Sequence, residues 1–457
     1  MDEPPPFGLP RSSVVGVDRH GAEGDGQSNA CDLNSSESRS HGPASAAATP
    51  LQAAGPDWSL RARAQRFRAA SRAVEVPLVD RLRFWLYYIG LAHGGTPVYS
   101  PTRDACYAEG FLRRGYDKQL ERINRRLASE PWRFGPIPVP VFRADEVSPI
   151  DQDFLTRLRI PYVLRGAARG LPLMDWSLDY LERGWGHCTG PINAALDRPD
   201  PIQTRPTKAH HYYDFRLGTL GEVAESIRRG GPARFVVAED VMHADGGSLL
   251  RDLDLAHWER ISGWERNRGH WLRSRLAVGK VFSAQLLVQP ERAYSLWHTE
   301  GGDNFFVLAR GRKRWTLTDP IYSPAMRPRV KRSTNYTGSN IDVRESDEIQ
   351  RRRGFGGYLG IPRVQADLRP GDMLRVPAFW WHTVETLPGD YTLAASLRIE
   401  PGPSLVAPGL LAMRLMDPQA HAMMRAYRRF GRISDALIGQ PRRSRSQAVD
   451  GTARGTD

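Results

Sequence analysis

From Lys280 onward the chain reads as a series of short strands: "KVFSAQLLVQ", "NFFVLARG", "KRWTLTD", "DMLRVP", "HTVETL" and "YTLAASLRI", with Gly and Pro turns between them. Strands this short and this evenly spaced bury their apolar faces only by closing on one another, which predicts a sandwich or barrel such as a jelly roll. The earlier half has a different texture. "VDRLRFWLYYIGLAHGG" carries apolar residues round much of a helix and stops at Gly94-Gly95, and "YDKQLERINRRLASEP" is an amphipathic helix that Pro131 ends. Beyond "GPIPVPVF", "RIPYVLRGA" and "ARFVVAED" read as strands, while "WSLDYLERG", "TLGEVAESIRRGG" and "DLAHWERI" read as helices. The fold class expected is α+β, a jelly-roll core with a helical N-terminal region and C-terminal helices.

Boundaries follow from composition. Residues 1–60 are rich in Gly, Ser, Ala, Pro and Asp and are expected to be disordered. Residues 61–140 form the helical region and 141–404 the strand-rich core. The Arg-rich span 321–366 is expected to be a surface excursion. Residues 405–438 are helical: Asp417 caps "MDPQAHAMMRAYRRFG" and Pro418 opens its first turn. The Met-rich face of that helix is expected either to pair two subunits into a homodimer or to cover the protein's own sheet. Residues 439–457 are a basic, disordered tail.

Composition excludes several classes. Forty per cent apolar residues suffice for a sizeable core. The formal charge of +13 falls partly in the expected flexible ends, which lack interleaved aromatic residues, so nucleic-acid binding is not expected. "FWLYYIGLA" is far shorter than the ~20 residues a membrane span needs, and "MDEPPPFGLPRSS" has no apolar signal region. Three cysteines without metal or disulfide spacing suit a reducing compartment, and a cytoplasmic location is expected.

Only five of the 64 basic residues are lysine, so each lysine is informative. One of them, Lys313, follows a histidine–glutamate pair. In "SLWHTEGGDNFF" alternation sends His298 and Glu300 to one face of a strand, where both can reach one cation. A third ligand has to come from another strand, and His382 in "RPGDMLRVPAFWWHTVETL" is the candidate. Two histidines and one carboxylate leave open positions opposite them, as non-haem Fe(II) oxygenases require. Taken singly each motif is weak, since H-x-E recurs by chance and a histidine beside two tryptophans is more often a packed residue. Their joint occurrence with Lys313 reverses that weighting. In "GRKRWTL" Lys313 shares a face with Trp315 and Leu317, where an ammonium needs an anion such as the far carboxylate of a diacid. A snorkelling lysine or an internal salt bridge is the structural alternative. His210-His211 near Asp214 lies in a polar, proline-bounded loop and reads as solvated surface or substrate-loop material.

Residues 160–400 resemble the cupin-like JmjC group of 2-oxoglutarate dioxygenases. The likeness rests on "IPYVLRGAARGLPLMDWSLDYL", "LWHTEGGDNFFVLARGRKRWTLTDP" and "LRPGDMLRVPAFWWHTVETL". Within that group the nearest likeness is to the asparaginyl hydroxylase of hypoxia-inducible factor and to bacterial cupin-like relatives. The resemblance implies a double-stranded β-helix, with 141–404 as its catalytic domain. It implies iron ligands at His298, Glu300 and His382, and 2-oxoglutarate held by Lys313, Ser295, Asn304 and Ser396. It also implies Fe(II), 2-oxoglutarate and O₂ as reactants, with hydroxylation of a protein or peptide side chain as the outcome. Small-molecule hydroxylation, lysine demethylation and a non-catalytic binding or regulatory role are the alternatives. Two departures stand out. Glu300 replaces the aspartate of most relatives, and a cosubstrate-contacting tyrosine falls at about Val236. Arg398 is the rival to Lys313 for the far carboxylate.

Overall fold

The strands assemble into two sheets. The computed structural model describes residues 59–95, 97–100, 103–107, 110–195, 213–330 and 336–402, all within the unit that spans Thr49–Asp457. The N-terminal segment before residue 59, the loop holding His210 and His211, and the expected C-terminal helices and tail lie outside the described residues. A two-stranded ladder, β1 (Pro97–Ser100) with β2 (Arg103–Tyr107), stands apart from both sheets.

The smaller sheet runs, from one edge to the other, β13 (Tyr336–Gly338), β10 (His298–Glu300), β16 (Trp381–Thr386), β12 (Lys313–Thr318), β14 (Val364–Leu368) and β3 (Ile137–Pro138). The larger runs β4 (Val141–Arg143), β5 (Tyr162–Arg165), β15 (Met373–Val376), β11 (Asp303–Arg310), β17 (Thr392–Ile399), β9 (Val281–Gln289), β8 (Ala233–Ala238), β6 (Thr189–Ala195) and β7 (Tyr213–Thr219). From β9 onward the chain winds between them: β9, β11, β15 and β17 in the larger, β10, β12, β14 and β16 in the smaller. That winding is the double-stranded β-helix. The fold is α+β, with helices flanking the strands.

Period-two alternation gives each wall its inner face. On the smaller sheet Lys313, Trp315 and Leu317 stand opposite Thr386, Val384 and His382. On the larger sheet Gln285 pairs with Ser396, and Gln289 with Thr392. Phe306 on β11 meets Trp315 on β12 edge-on at 4.9 Å, which closes the middle of the barrel. Gly311 makes the turn from β11 into β12 at a φ of +80°, and a Cβ there would lie 2.5 Å from the Tyr391 carbonyl. Only glycine fits there, and the turn fixes where β12 begins and which way Lys313 faces.

The two expected N-terminal helices are present as α2 (Leu78–Gly94) and α3 (Phe111–Ala128), and α1 (Leu60–Ser71) precedes them. Ser59 caps α1 and Gly95 closes α2, its N–H bonding the Leu91 carbonyl. The span 321–366 departs from expectation. Among its described residues only part is exposed: Tyr322, Met326, Ile341, Tyr358 and Ile361 are buried in a second core with Phe84, Tyr88 and Leu120 of α2 and α3. The arginines that suggested a surface loop are spread between these apolar residues. Arg353, for example, pairs with Glu345 while its guanidinium lies over the Phe355 ring.

Candidate metal centre

Three ligands come from two neighbouring strands. His298 and Glu300 project from one face of β10, and His298 stands directly opposite His382 of β16. The two imidazole centroids lie 4.1 Å apart. One potential ligand atom from each of His298, Glu300 and His382 lies within 4.8 Å of the others. The local chain holds this geometry. The Glu300 carbonyl accepts from Phe379 N–H at 2.7 Å, and the Asp303 carboxylate accepts from Ala378 N–H at 2.8 Å while pairing with buried Arg375. Those contacts pin the turn that delivers His382.

The donor set fits a divalent ion. His298 Nδ1 lies 2.8 Å from the Leu296 carbonyl, and His382 Nδ1 lies 2.9 Å from the Trp380 carbonyl. A carbonyl only accepts, so each Nδ1 carries the proton and each Nε2 is the candidate ligand atom. Burial lowers the pKa of His298. Burial, then the neighbouring His298, pushes His382 well below the ordinary histidine value. Both rings are therefore neutral near pH 7, as ligation requires.

Lys313 is 1% exposed on the same inner wall, four residues along β16 from His382, or about 13 Å. Its ammonium donates to Gln289 Oε1 and to Thr386 Oγ1, the latter at 2.9 Å. Among the described residues no carboxylate pairs with it. Burial, then Arg234, pushes its pKa down to about 7. Between lysine and metal ligands lie Trp315, 5.2 Å from the His382 ring, and Ser295, whose hydroxyl accepts from Val384 N–H at 3.0 Å. Trp315 Nε1 is buried and has no hydrogen-bond partner among the described residues. On the opposite wall Ser396 Oγ donates to Asn304 Oδ1 at 2.9 Å. Of the seven residues singled out from the sequence, His298, Glu300 and His382 cluster, Lys313 lies farther along the same wall, and Asn304 and Ser396 pair on the facing sheet.

Arg398, opposite Asn304, has its guanidinium already engaged. It forks onto both Glu300 oxygens, at 2.7 Å for Nη2–Oε1, and reaches Gln285 Oε1 at 3.3 Å. The extra methylene of glutamate extends its carboxylate toward this arginine, which braces it. Arg398→Met would leave a largely buried carboxylate uncompensated. The metal-free protein is expected to lose about 3 kcal/mol in denaturant melts, and an unchanged midpoint would contradict the brace. The sequence did not assign the polar lining from β9. Its signal was there, because Ser283, Gln285 and Gln289 alternate with apolar neighbours in "VFSAQLLVQ".

A family model described as a cupin-like domain matches residues 149–397, more than half of the chain. HSPB1-associated protein 1 of Rattus norvegicus is 34% identical over 87 residues, 19% of this chain and 17% of the relative. The Homo sapiens protein of that name is 33% identical over the same length. The chain thus spans less than a fifth of these curated relatives. The tRNA wybutosine-synthesizing protein 5 of Mus musculus is 24% identical over 257 residues, 54% of this chain and 74% of the relative. These similarities support the broad cupin and JmjC-like class, and not the narrower likeness to the asparaginyl hydroxylase of hypoxia-inducible factor.

Proposed function

This chain belongs to the cupin-like domain family, and from that premise we propose that it is an Fe(II)- and 2-oxoglutarate-dependent oxygenase. The observation that carries the reading is one shared inner wall. It holds three clustered ligand atoms and, beyond them, a buried ammonium with no carboxylate partner among the described residues. His298, Glu300 and His382 would hold the iron. Lys313 would bind the far carboxylate of 2-oxoglutarate. Ser295, placed beside Val384, has a hydroxyl hydrogen left to donate to the same ligand. Asn304 and Ser396 would shape the facing wall.

Iron held by His298, Glu300 and His382 would, with 2-oxoglutarate and O₂, supply the oxidation, placing one oxygen atom in a substrate C–H bond and the other in succinate with release of CO₂. The protein's part is geometric. The Leu296 and Trp380 carbonyls keep both imidazoles in the ligating tautomer, Arg398 fixes the carboxylate, and Trp315 with Phe306 keeps water from the centre of the barrel. Residues 141–404 form the catalytic unit in this reading.

For the substrate we favour a protein or peptide side chain. A nucleobase in RNA is the second reading, favoured by the 257-residue match to a protein named for tRNA wybutosine synthesis. Anaerobic addition of Fe(II) and 2-oxoglutarate is expected to produce a weak visible charge-transfer band. Substrate pools of peptides and of RNA would then be compared for stimulation of succinate release. Failure to form the band would leave a non-catalytic binding protein.

A further inference from the structure

We propose that Arg234 is a second cation of the far-carboxylate clamp and makes the site selective for a diacid. The inference rests on the oxygenase reading above and adds a residue to it.

Arg234 lies on β8, which pairs with β9 through Phe235 opposite Val288. Gln289 turns into the barrel to meet Lys313, so its strand neighbour Val288, and Phe235 opposite it, point to the other side of the larger sheet. Alternation therefore puts Arg234 on the same side as Gln289, inside the barrel. Gln289 is the residue whose side chain meets the Lys313 ammonium. Arg234 is 2% exposed, and its Nη1 donates to the Tyr294 carbonyl at 2.7 Å. Tyr294 forms a β-bridge with Glu385 on β16, and the adjacent Ala293 carbonyl accepts from Thr386 N–H at 2.7 Å. Thr386 is the other partner of Lys313. Both side chains thus cross from one sheet toward the other at the same end of the barrel. The repulsion between them registers in the lowered Lys313 pKa.

Neutral partners such as Gln289 and Thr386 orient an ammonium but do not offset its charge. A carboxylate does, and its two oxygens can accept from an ammonium and a guanidinium together. The two cations differ in permanence. Lys313 sits near its titration point at neutral pH, whereas a guanidinium stays charged throughout. Arg234 therefore remains a cationic donor beside Gln289 when Lys313 is deprotonated. A 2-oxo acid without a far carboxylate would gain nothing from it.

The test compares two ligands on anaerobic, Fe(II)-loaded protein, followed by the visible charge-transfer band. 2-Oxoglutarate is titrated beside 2-oxopentanoate, which has the same chain length and no far carboxylate. Arg234→Met is expected to weaken 2-oxoglutarate about tenfold or more and to leave 2-oxopentanoate within about twofold. Arg234→Gln, which keeps a donor for the Tyr294 carbonyl, is read the same way should the methionine variant fail to fold. Unchanged 2-oxoglutarate affinity, or equal weakening of both acids, overturns the assignment. A wild-type protein that gives no band with either acid overturns the oxygenase reading beneath it.

Discussion

His298→Ala is expected to reduce bound iron to the level of a protein without a site, and 2-oxoglutarate turnover to that of the buffer. Two ligands would remain, and one of them, Glu300, is already shared with Arg398. The fold should survive. β10 is held by backbone pairing to β13 and β16, which a side-chain truncation leaves in place. Metal content after dialysis and succinate formation are the two measurements. A variant that keeps substrate-independent turnover of 2-oxoglutarate would falsify the iron assignment outright.

Lys313→Met should separate stability from function. The variant is expected to bind 2-oxoglutarate far more weakly, because the far carboxylate loses one of its two proposed cations. It is also expected to be more stable than the wild type near pH 7. The reason is linkage. Lys313 has a pKa of about 7 in the folded chain and 10.5 as its ordinary value. Between those values the unfolded chain holds the proton and the folded chain does not, so wild-type stability rises with pH across the window. The burden is fully present below about pH 7 and gone above 10.5. It amounts to roughly 3 kcal/mol once the hydrogen bonds to Gln289 and Thr386 are set against it. Thermal melts of both proteins should show a gap that is widest at pH 6–7 and narrows toward pH 10. A gap independent of pH would mean the ammonium is not desolvated as the geometry implies. In the proposed reading this costly group is retained for the far carboxylate of the cosubstrate.

Much of the site was legible because its rules are local. A strand turns alternate residues to one face wherever it packs, so "HTE" and "KRW" declared their inward residues before any partner was known. The α+β class and the run of short strands followed from the same periodicity. The buried part of the span 321–366 was missed for the opposite reason. Its buried Tyr322, Met326 and Ile341 have no regular spacing, and only contact with α2 and α3 identifies them as core.

What the sequence by itself determined, then, is which residues face inward on each strand, since that depends on neighbours one and two positions away. The tertiary structure decided which strands meet and in what register. His382 opposes His298 through the pairing of β16 with β10, and a one-residue slip would have turned its ring away from the cavity. The same long-range pairing gave Arg398 to Glu300 rather than to a ligand's far end, and brought Arg234 beside the residue that holds Lys313. No sequence period encodes such meetings, because they are set by the closure of the barrel.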